Sequence, residues 1–487
     1  MLPYLVPLLL LSVLAEASPR KRATTATAYC SNSNGTYKLS SIAAPVQGTG
    51  SPGSESTWKL SIDDTSSGYK QTIVGFGAAV TDATVASFNT LSNSTLQQLL
   101  NELMSSAGAG FAMMRHTIGA SDLSGDPAYT YDDNRNSADP SLSGFDLGDR
   151  GTAMATMLAN MKSLQSSLKI LGSSWSPPGW MKLNGVIDGN TTNNNLNDGY
   201  LTSEGTGSTG YASAFAQYFV KYIQAYANLG AHIDAITIQN EPLNSQAGYP
   251  TMYMFDYEAA QLIQNYVGPA LAEAGLNTEI WAHDDNTNMP SYPQTVIDGA
   301  SQYVDSVAWH CYTTDVDWTV LTQFHQTNPN VKQYMTECWT PASAAWNEAA
   351  SFTMGPLQNW TSGVTAWTLG TNDQDGPHLS TGGCATCRGL VTIANGGYTF
   401  NPAYYMMAQF SKFMPPGAIV LNGTGSYTYS TGGVRSVASL NPDGTRAVVI
   451  QNTFSNDIYI TLSTNSGQEW SGNIPSESVT TWVLPVV

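Results

Sequence analysis

Two glutamates stand where short apolar runs end. One closes Ile238-Gln239-Asn240-Glu241-Pro242, where the proline stops any strand. The other closes Tyr334-Met335-Thr336-Glu337-Cys338-Trp339, with an aromatic residue two positions on. A pair of carboxyl groups converging on one cleft is the equipment for cleaving a glycosidic bond. One protonates the leaving oxygen, and the other attacks the anomeric carbon or activates water. The acid must keep its proton while the second group stays ionised, so their surroundings must differ. Asn240, beside the first glutamate, offers an amide to a sugar hydroxyl.

Other strand-end residues fit the same chemistry. Trp175 in Gly172-Ser-Ser-Trp-Ser-Pro-Pro-Gly-Trp180, Trp309-His310-Cys311-Tyr312, and Trp367 supply rings on which the CH-rich face of a sugar stacks. Arg115, in Met114-Arg115-His116, lies on an apolar run; a buried guanidinium needs a carboxylate partner, and Glu337 suits that role. Such a cation would help keep Glu337 ionised. Three apparent metal motifs fail. Asp373-Gln-Asp375-Gly376 begins like a calcium loop but has Cys384 where that loop needs its last glutamate. His283-Asp284-Asp285 has no matching third ligand and reads as a polar cluster lining the cleft. Cys384-Ala-Thr-Cys387 has no second pair and reads as a small loop disulfide, leaving one of the five cysteines unpaired. No cofactor or metal is expected.

The elements that must position these residues are legible as periods. Eight short apolar runs cover Ile73–Val80, Phe111–Ile118, Lys169–Trp175, Ile233–Gln239, Glu279–His283, Val304–Tyr312, Val331–Thr336 and Gly363–Leu369. Helical periodicity between them is clearest over Ala153–Leu168, Tyr211–Leu229, Tyr257–Ala274 and Ala342–Thr353. Eight such alternations predict a (β/α)8 barrel rather than an open doubly wound sheet, and no Gly-rich phosphate loop supports the latter. In such a barrel, working residues sit at the C-terminal ends of strands, here the fourth and seventh for the two glutamates. From about Ala418 to Val487 the period drops to two, which predicts an antiparallel β-sandwich joined by the strand-like N-terminal segment. The expected division is a leader over 1–17, a dibasic pro-segment over 18–22, N-terminal sandwich strands over 23–70, the barrel over 71–405 and the sandwich over 406–487.

Composition narrows the partners. The 487 residues carry a net charge of -18 with only 11% charged residues, so nucleic acid and anionic membrane, which need basic patches, are excluded as partners. Polarity resides in Ser, Thr, Asn, Gly and Tyr, which suits a neutral polysaccharide. A monomer is expected. Leu5–Leu14 followed by Ala15-Glu16-Ala17 reads as a secretory leader, and Lys21-Arg22 as a processing site. Five sequons, at Asn34, Asn93, Asn190, Asn359 and Asn422, agree with export.

The chain resembles family 30 glycoside hydrolases, the group that includes glucocerebrosidase. The likeness rests on Gly75-Phe-Gly-Ala-Ala-Val-Thr-Asp-Ala83, Arg115 through Asp122-Leu-Ser124, Tyr129-Thr-Tyr131, Trp175-Ser-Pro-Pro-Gly-Trp-Met-Lys182, Gln239-Asn-Glu-Pro242, His310-Cys-Tyr312, Thr336-Glu337 and Trp367. The resemblance implies a retaining mechanism with Glu241 as acid/base and Glu337 as nucleophile. It implies that Asp122, Trp175, Asn240 and Trp367 line the subsite of the attacked sugar, and that His310 and Tyr312 orient the carboxylates. The chain departs from glucocerebrosidase at Cys311 and in the Asn-rich stretch Asn190–Asn197, so lipid specificity is not implied. Within the family the pattern is most similar to secreted fungal endo-β-1,6-galactanases. A β-1,6-glucanase or an exo-acting β-glycosidase of the same family is the alternative, and an inactive carbohydrate-binding protein is the alternative of another class.

Overall fold

The computed structural model describes residues 25–190, 194–197, 211–244, 248–314, 316–338 and 346–487. The expected leader and pro-segment, part of the Asn-rich stretch, and Trp339 lie outside the described residues.

The eight apolar runs form a closed parallel barrel. Its strands are β1 Gly75–Val80, β2 Met113–Ile118, β3 Lys169–Ser174, β4 Ala235–Thr237, β5 Glu279–Asn286, β6 Val304–His310, β7 Lys332–Glu337 and β8 Thr361–Ala366. Each pairs with its neighbours in chain order, and β8 closes on β1. β1, β2, β4 and β8 are buried at every position, because helices cover the outside and side chains fill the inside. Inside, Met113, Leu171, Ala235, Trp281, Ala308 and Tyr334 make a separate apolar cluster. The Trp281 and Tyr334 rings stack at 3.9 Å and plug the barrel interior.

The covering helices follow the sequence with local corrections. Ala212–Asn228 buries Tyr218, Tyr222 and Tyr226, spaced by four so that they share one face. Tyr222 Oη lies 2.5 Å from His116 Nε2 on β2. At Gly172 on β3 a Cβ would fall 2.2 Å from Tyr222 Oη, so this strand–helix contact requires glycine. The helix expected over Tyr257–Ala274 is broken into Asp256–Leu262, a wider π turn Ile263–Val267, and Gly268–Glu273. Pro269, lacking an N–H, stands two residues past the widened turn, after Gly268. The helix expected over Ala342–Thr353 runs Trp346–Gln358 in the described residues.

The two chain ends build the sandwich together. Thr27–Asn32 runs antiparallel to Ser478–Leu484. The expectation of purely antiparallel pairing fails at one place: Ser56–Asp63 lies parallel to Ile458–Thr464. These strands come from opposite ends of the chain, with the barrel between them, so no hairpin forces the antiparallel sense. Arg446 Nη1, from the strand Arg446–Asn452, donates to Asp64 Oδ2 at 2.8 Å, with both side chains buried, and so also ties the two chain ends together. Leu60, Ile62, Val448, Ile450, Ile460, Trp470 and Trp482 form the sandwich core. The division expected after residue 405 falls inside the helix Pro402–Ser411. Cys384 and Cys387 form the expected loop disulfide, Cys311 pairs with Cys338, and the buried Cys30 is the free thiol. No helix among the described residues is long and apolar enough to cross a membrane.

Candidate active site

The two glutamates meet at the C-terminal mouth of the barrel. Beyond β4 the chain turns sharply. Asn240 N donates to Ser174 O at 2.7 Å and Glu241 N to Asp284 O at 3.0 Å, with Glu241 in the left-handed region at φ +42°. A non-glycine residue held there is strained, and such strain persists where surrounding bonds over-determine it. Glu337 is the last residue of β7 and sits in register with His310, the last of β6. One carboxylate oxygen of Glu241, one of Glu337 and a ring nitrogen of His310 all lie within 4.8 Å of one another.

Each carboxylate has its own partners. Glu337 Oε2 accepts from Arg115 Nη1 at 2.7 Å, and Oε1 accepts from Tyr312 Oη at 2.7 Å. Glu241 Oε2 accepts from Asn244 Nδ2 at 2.6 Å, and Oε1 lies 3.1 Å from His310 Nδ1. Arg115 is fully buried and also donates through Nη2 to Asn240 Oδ1 at 2.6 Å, Ser173 Oγ at 3.2 Å and Asp284 Oδ2 at 2.9 Å. Its guanidinium carbon lies 4.7 Å from the Trp175 ring and 6.0 Å from the Trp367 ring, and those two rings stack on each other at 5.4 Å. Asp122 lies within 4.8 Å of the Cys384 and Cys387 sulfurs, which pack with Trp175 and Trp367. Nine of the residues singled out from the sequence therefore converge on one cleft, whereas Trp309, also offered as a sugar platform, is fully buried against Phe324 in the core outside the barrel strands.

Asp284 binds the arrangement together from below. Its carboxylate is fully buried and accepts from Arg115, from His310 Nε2 at 3.0 Å, and from Ser173 Oγ, Thr237 Oγ1 and Thr336 Oγ1 at 2.6, 2.6 and 2.7 Å. Its donors come from β2, β3, β4, β6 and β7. The sequence reading placed His283-Asp284-Asp285 along the cleft but gave Asp284 no role. Alternation from the inward Trp281 would turn Asp284 outward. A bulge between His283 and Asp285, with φ of +79° at His283 and +61° at Asp284, reverses that sense and aims Asp284 inward. Asn244 and Tyr249, whose Oη accepts from Asn244 Nδ2 at 3.1 Å, were also missed. They lie in a loop with no periodic signal.

The electrostatics follow from burial and neighbours. Burial alone would raise Asp284, but Arg115, His310 and the hydroxyls hold it well below the carboxylate range. Burial opposes a charge on His310, yet Glu337, Asp284 and Glu241 together lift its imidazole to about 10. Burial would raise Glu241, but the hydrogen bond from charged His310 holds it low. Burial dominates at Glu337 and leaves it raised, with the like charge of Glu241 adding to that, while His310, Arg115 and the Tyr312 hydrogen bond pull it down. Before substrate binds, Glu241 is thus the lower of the two carboxyls, and its proton must come from His310. Asp122 is pushed up to about 7, by burial first and then by Glu337 and Glu241. These directions place the proton on His310, one hydrogen bond from Glu241. The triad of Glu241, His310 and Glu337 is poorly suited to a metal. Both His310 nitrogens already face carboxylates, and the Arg115 cation occupies Glu337. The disulfide sulfurs beside Asp122 have no thiolate to offer.

Replacing Arg115 by Met leaves Asp284 and Glu337 buried without their shared counter-ion. The expected cost is about 3–5 kcal/mol of stability. Urea unfolding at neutral pH checks this through a lower midpoint at unchanged slope.

Comparison with known proteins places this geometry. Residues 73–414 match the glycosyl hydrolase family 30 TIM-barrel domain and residues 419–482 match the glycosyl hydrolase family 30 beta sandwich domain. The chain is 80% identical over 479 residues to endo-1,6-beta-D-glucanase neg1 of Aspergillus fumigatus, covering 98% of each. It is 73% identical over 474 residues to endo-1,6-beta-D-glucanase BGN16.3 of Trichoderma harzianum, covering 97% of this chain and 96% of the relative. Among solved structures, the endo-beta1,6-glucanase BT3312 superposes with a TM-score of 0.81 at 27% identity, covering 95% of this chain and 100% of that one. These names agree with the glucan alternative and give the galactan expectation no support.

Proposed function

The chain belongs to glycosyl hydrolase family 30, and from that footing we propose that it is an exported retaining endo-β-1,6-glucanase with Glu241 as acid/base and Glu337 as nucleophile. The observation that carries the mechanism is the approach of Glu241 and Glu337 oxygens to within 4.8 Å. Retaining enzymes hold their carboxyl groups about 5–5.5 Å apart, whereas inverting ones leave about 6.5–9.5 Å for a water. The sugar assignment rests on the names of relatives 80% and 73% identical over nearly the whole chain. The leader-like N-terminus and two disulfides support export.

The reaction runs as two displacements. The glucosyl unit before the scissile bond lies over Trp175 and Trp367 beside Asp122. As the bond from its C1 to the leaving oxygen lengthens, Glu241, first protonated from His310 Nδ1 along the 3.1 Å contact, gives that oxygen the proton and is left a carboxylate. A Glu337 carboxylate oxygen bonds to C1 from the opposite face, and the shortened glucan leaves as an alcohol. The transfer from His310 to Glu241 removes both their charges, leaving Arg115 as the counter-ion of Glu337. Water then attacks C1, Glu241 takes its proton, and the C1–Glu337 bond breaks with net retention.

The test is hydrolysis of linear β-1,6-glucan, β-1,6-galactan, β-1,3-glucan and xylan, with early products sized and their anomer read by NMR. Rapid cutting of β-1,6-glucan to mixed oligosaccharides in the β form is expected. Preference for galactan overturns the sugar; release of glucose alone from chain ends overturns endo action; a first-formed α-anomer overturns retention.

A further inference from the structure

Strands β6 and β7 end together with His310 and Glu337 in register. The residues that follow each, Cys311 and Cys338, are joined by a disulfide with Cα atoms 5.3 Å apart. The bridge therefore closes the ladder at the point where two groups that meet at the carboxylates leave it. On one side, Glu337 directly precedes Cys338, which is fully buried. On the other, Cys311 lies between His310, which reaches Glu241 and Asp284, and Tyr312, which reaches Glu337. Tyr312 is partly exposed, with its backbone N–H on Asn286 Oδ1 at 2.6 Å and its hydroxyl on Glu337 Oε1 at 2.7 Å. Its loop runs out toward solvent, and a loop bond at a strand end opens readily unless something ties the backbone.

We propose that the Cys311–Cys338 disulfide is a positioning bridge that holds the Tyr312 hydroxyl on the Glu337 carboxylate. The inference rests on the nucleophile role given to Glu337 above. The Tyr312 hydrogen bond favours the ionised form of Glu337, so the bridge acts on catalysis through that bond. Neither cysteine touches the reacting atoms. The bridge also makes full activity depend on oxidation, which an exported enzyme acquires outside the cytosol.

The test compares wild type, Y312F, the pair C311A/C338A and the triple variant. Loss of one hydrogen bond to a charged group is expected to lower kcat on the order of 10- to 100-fold in Y312F and in the cysteine pair alike, with KM little changed. The acidic limb of the kcat/KM profile moves to higher pH in both, because Glu337 then protonates more readily. The triple variant is no worse than Y312F, since both changes remove the same bond. Titration of Glu337 by NMR of 13C-labelled glutamate, assigned with E337Q, reads the same upward shift without substrate. It separates failure of this inference from failure of the functional reading, which inactivity of the wild type on β-1,6-glucan would show. An unshifted Glu337 titration in the cysteine pair, or a triple variant whose losses multiply, overturns the bridge's role. If neither C311A/C338A nor C311S/C338S folds, the bridge serves the fold instead and the inference falls.

Discussion

Replacing Glu337 by Gln is expected to lower kcat on β-1,6-glucan by a factor on the order of 10⁵ to 10⁶, the loss seen when an enzyme's nucleophile is removed. The amide keeps the shape of the carboxylate but cannot form a stable ester with C1. The fold should tolerate the change. Arg115 retains Asp284 as its counter-ion at 2.9 Å and keeps Asn240 and Ser173 as acceptors. The Gln oxygen can accept from Arg115 or from Tyr312, as Glu337 does now. Circular dichroism and the unfolding midpoint should therefore stay close to wild type while turnover collapses. A 2-deoxy-2-fluoroglucoside with a good leaving group gives a second reading. It should add one sugar mass to wild type, on the peptide containing Glu337, and nothing to E337Q. Residual activity within about a hundredfold of wild type, with the label on another residue, would sink the assignment.

How far the sequence foretold this site depends on what each residue's position derives from. The barrel strands were legible because a strand buried on both faces is a continuous apolar run, and what ends the run is what reaches the mouth. That logic found Glu337 and His310 as terminal residues of β7 and β6. It found Glu241 for a less direct reason. The run Ile233–Gln239 is longer than its ladder Ala235–Thr237, and the glutamate stands beyond the strand in a turn of its own. Asp284 was illegible because a bulge inverted its face and because its five donors come from five strands that only barrel closure brings together. The pairing of Cys311 with Cys338 was equally hidden. It follows from the register of His310 with Glu337, which spacing along the chain does not contain. The family resemblance proposed residue roles where periodicity could not, and its galactan expectation finds no support among relatives that are named endo-1,6-beta-D-glucanases. Glucose and galactose differ in the orientation of one hydroxyl, and one polar contact suffices to choose between them.

Glu241→Gln should behave differently from Glu337→Gln, and the difference identifies the acid. Loss of a general acid/base is expected to cost about 10²- to 10⁴-fold on β-1,6-glucan, whose leaving alcohol needs a proton. An aryl β-glucoside with an acidic phenol leaves without that proton, so glycosylation of Glu337 should proceed near the wild-type rate. Deglycosylation should then stall, because nothing accepts the proton of the attacking water. The glycosyl-enzyme accumulates and is visible as an initial burst of phenol and as an added sugar in the intact mass. Azide needs no base, and its entry on the face vacated by Glu241 should restore turnover and yield a β-glucosyl azide. The same change releases His310 from the Glu241 carboxylate at 3.1 Å, one of the groups that raise its pKa, while Asp284 and Glu337 continue to hold it up. The imidazole should therefore titrate at lower pH in the variant, which a His Cε1 proton titration by NMR reads directly. Equal losses on the aryl glucoside and on glucan, with no burst and no azide product, would show that Glu241 is not the proton donor.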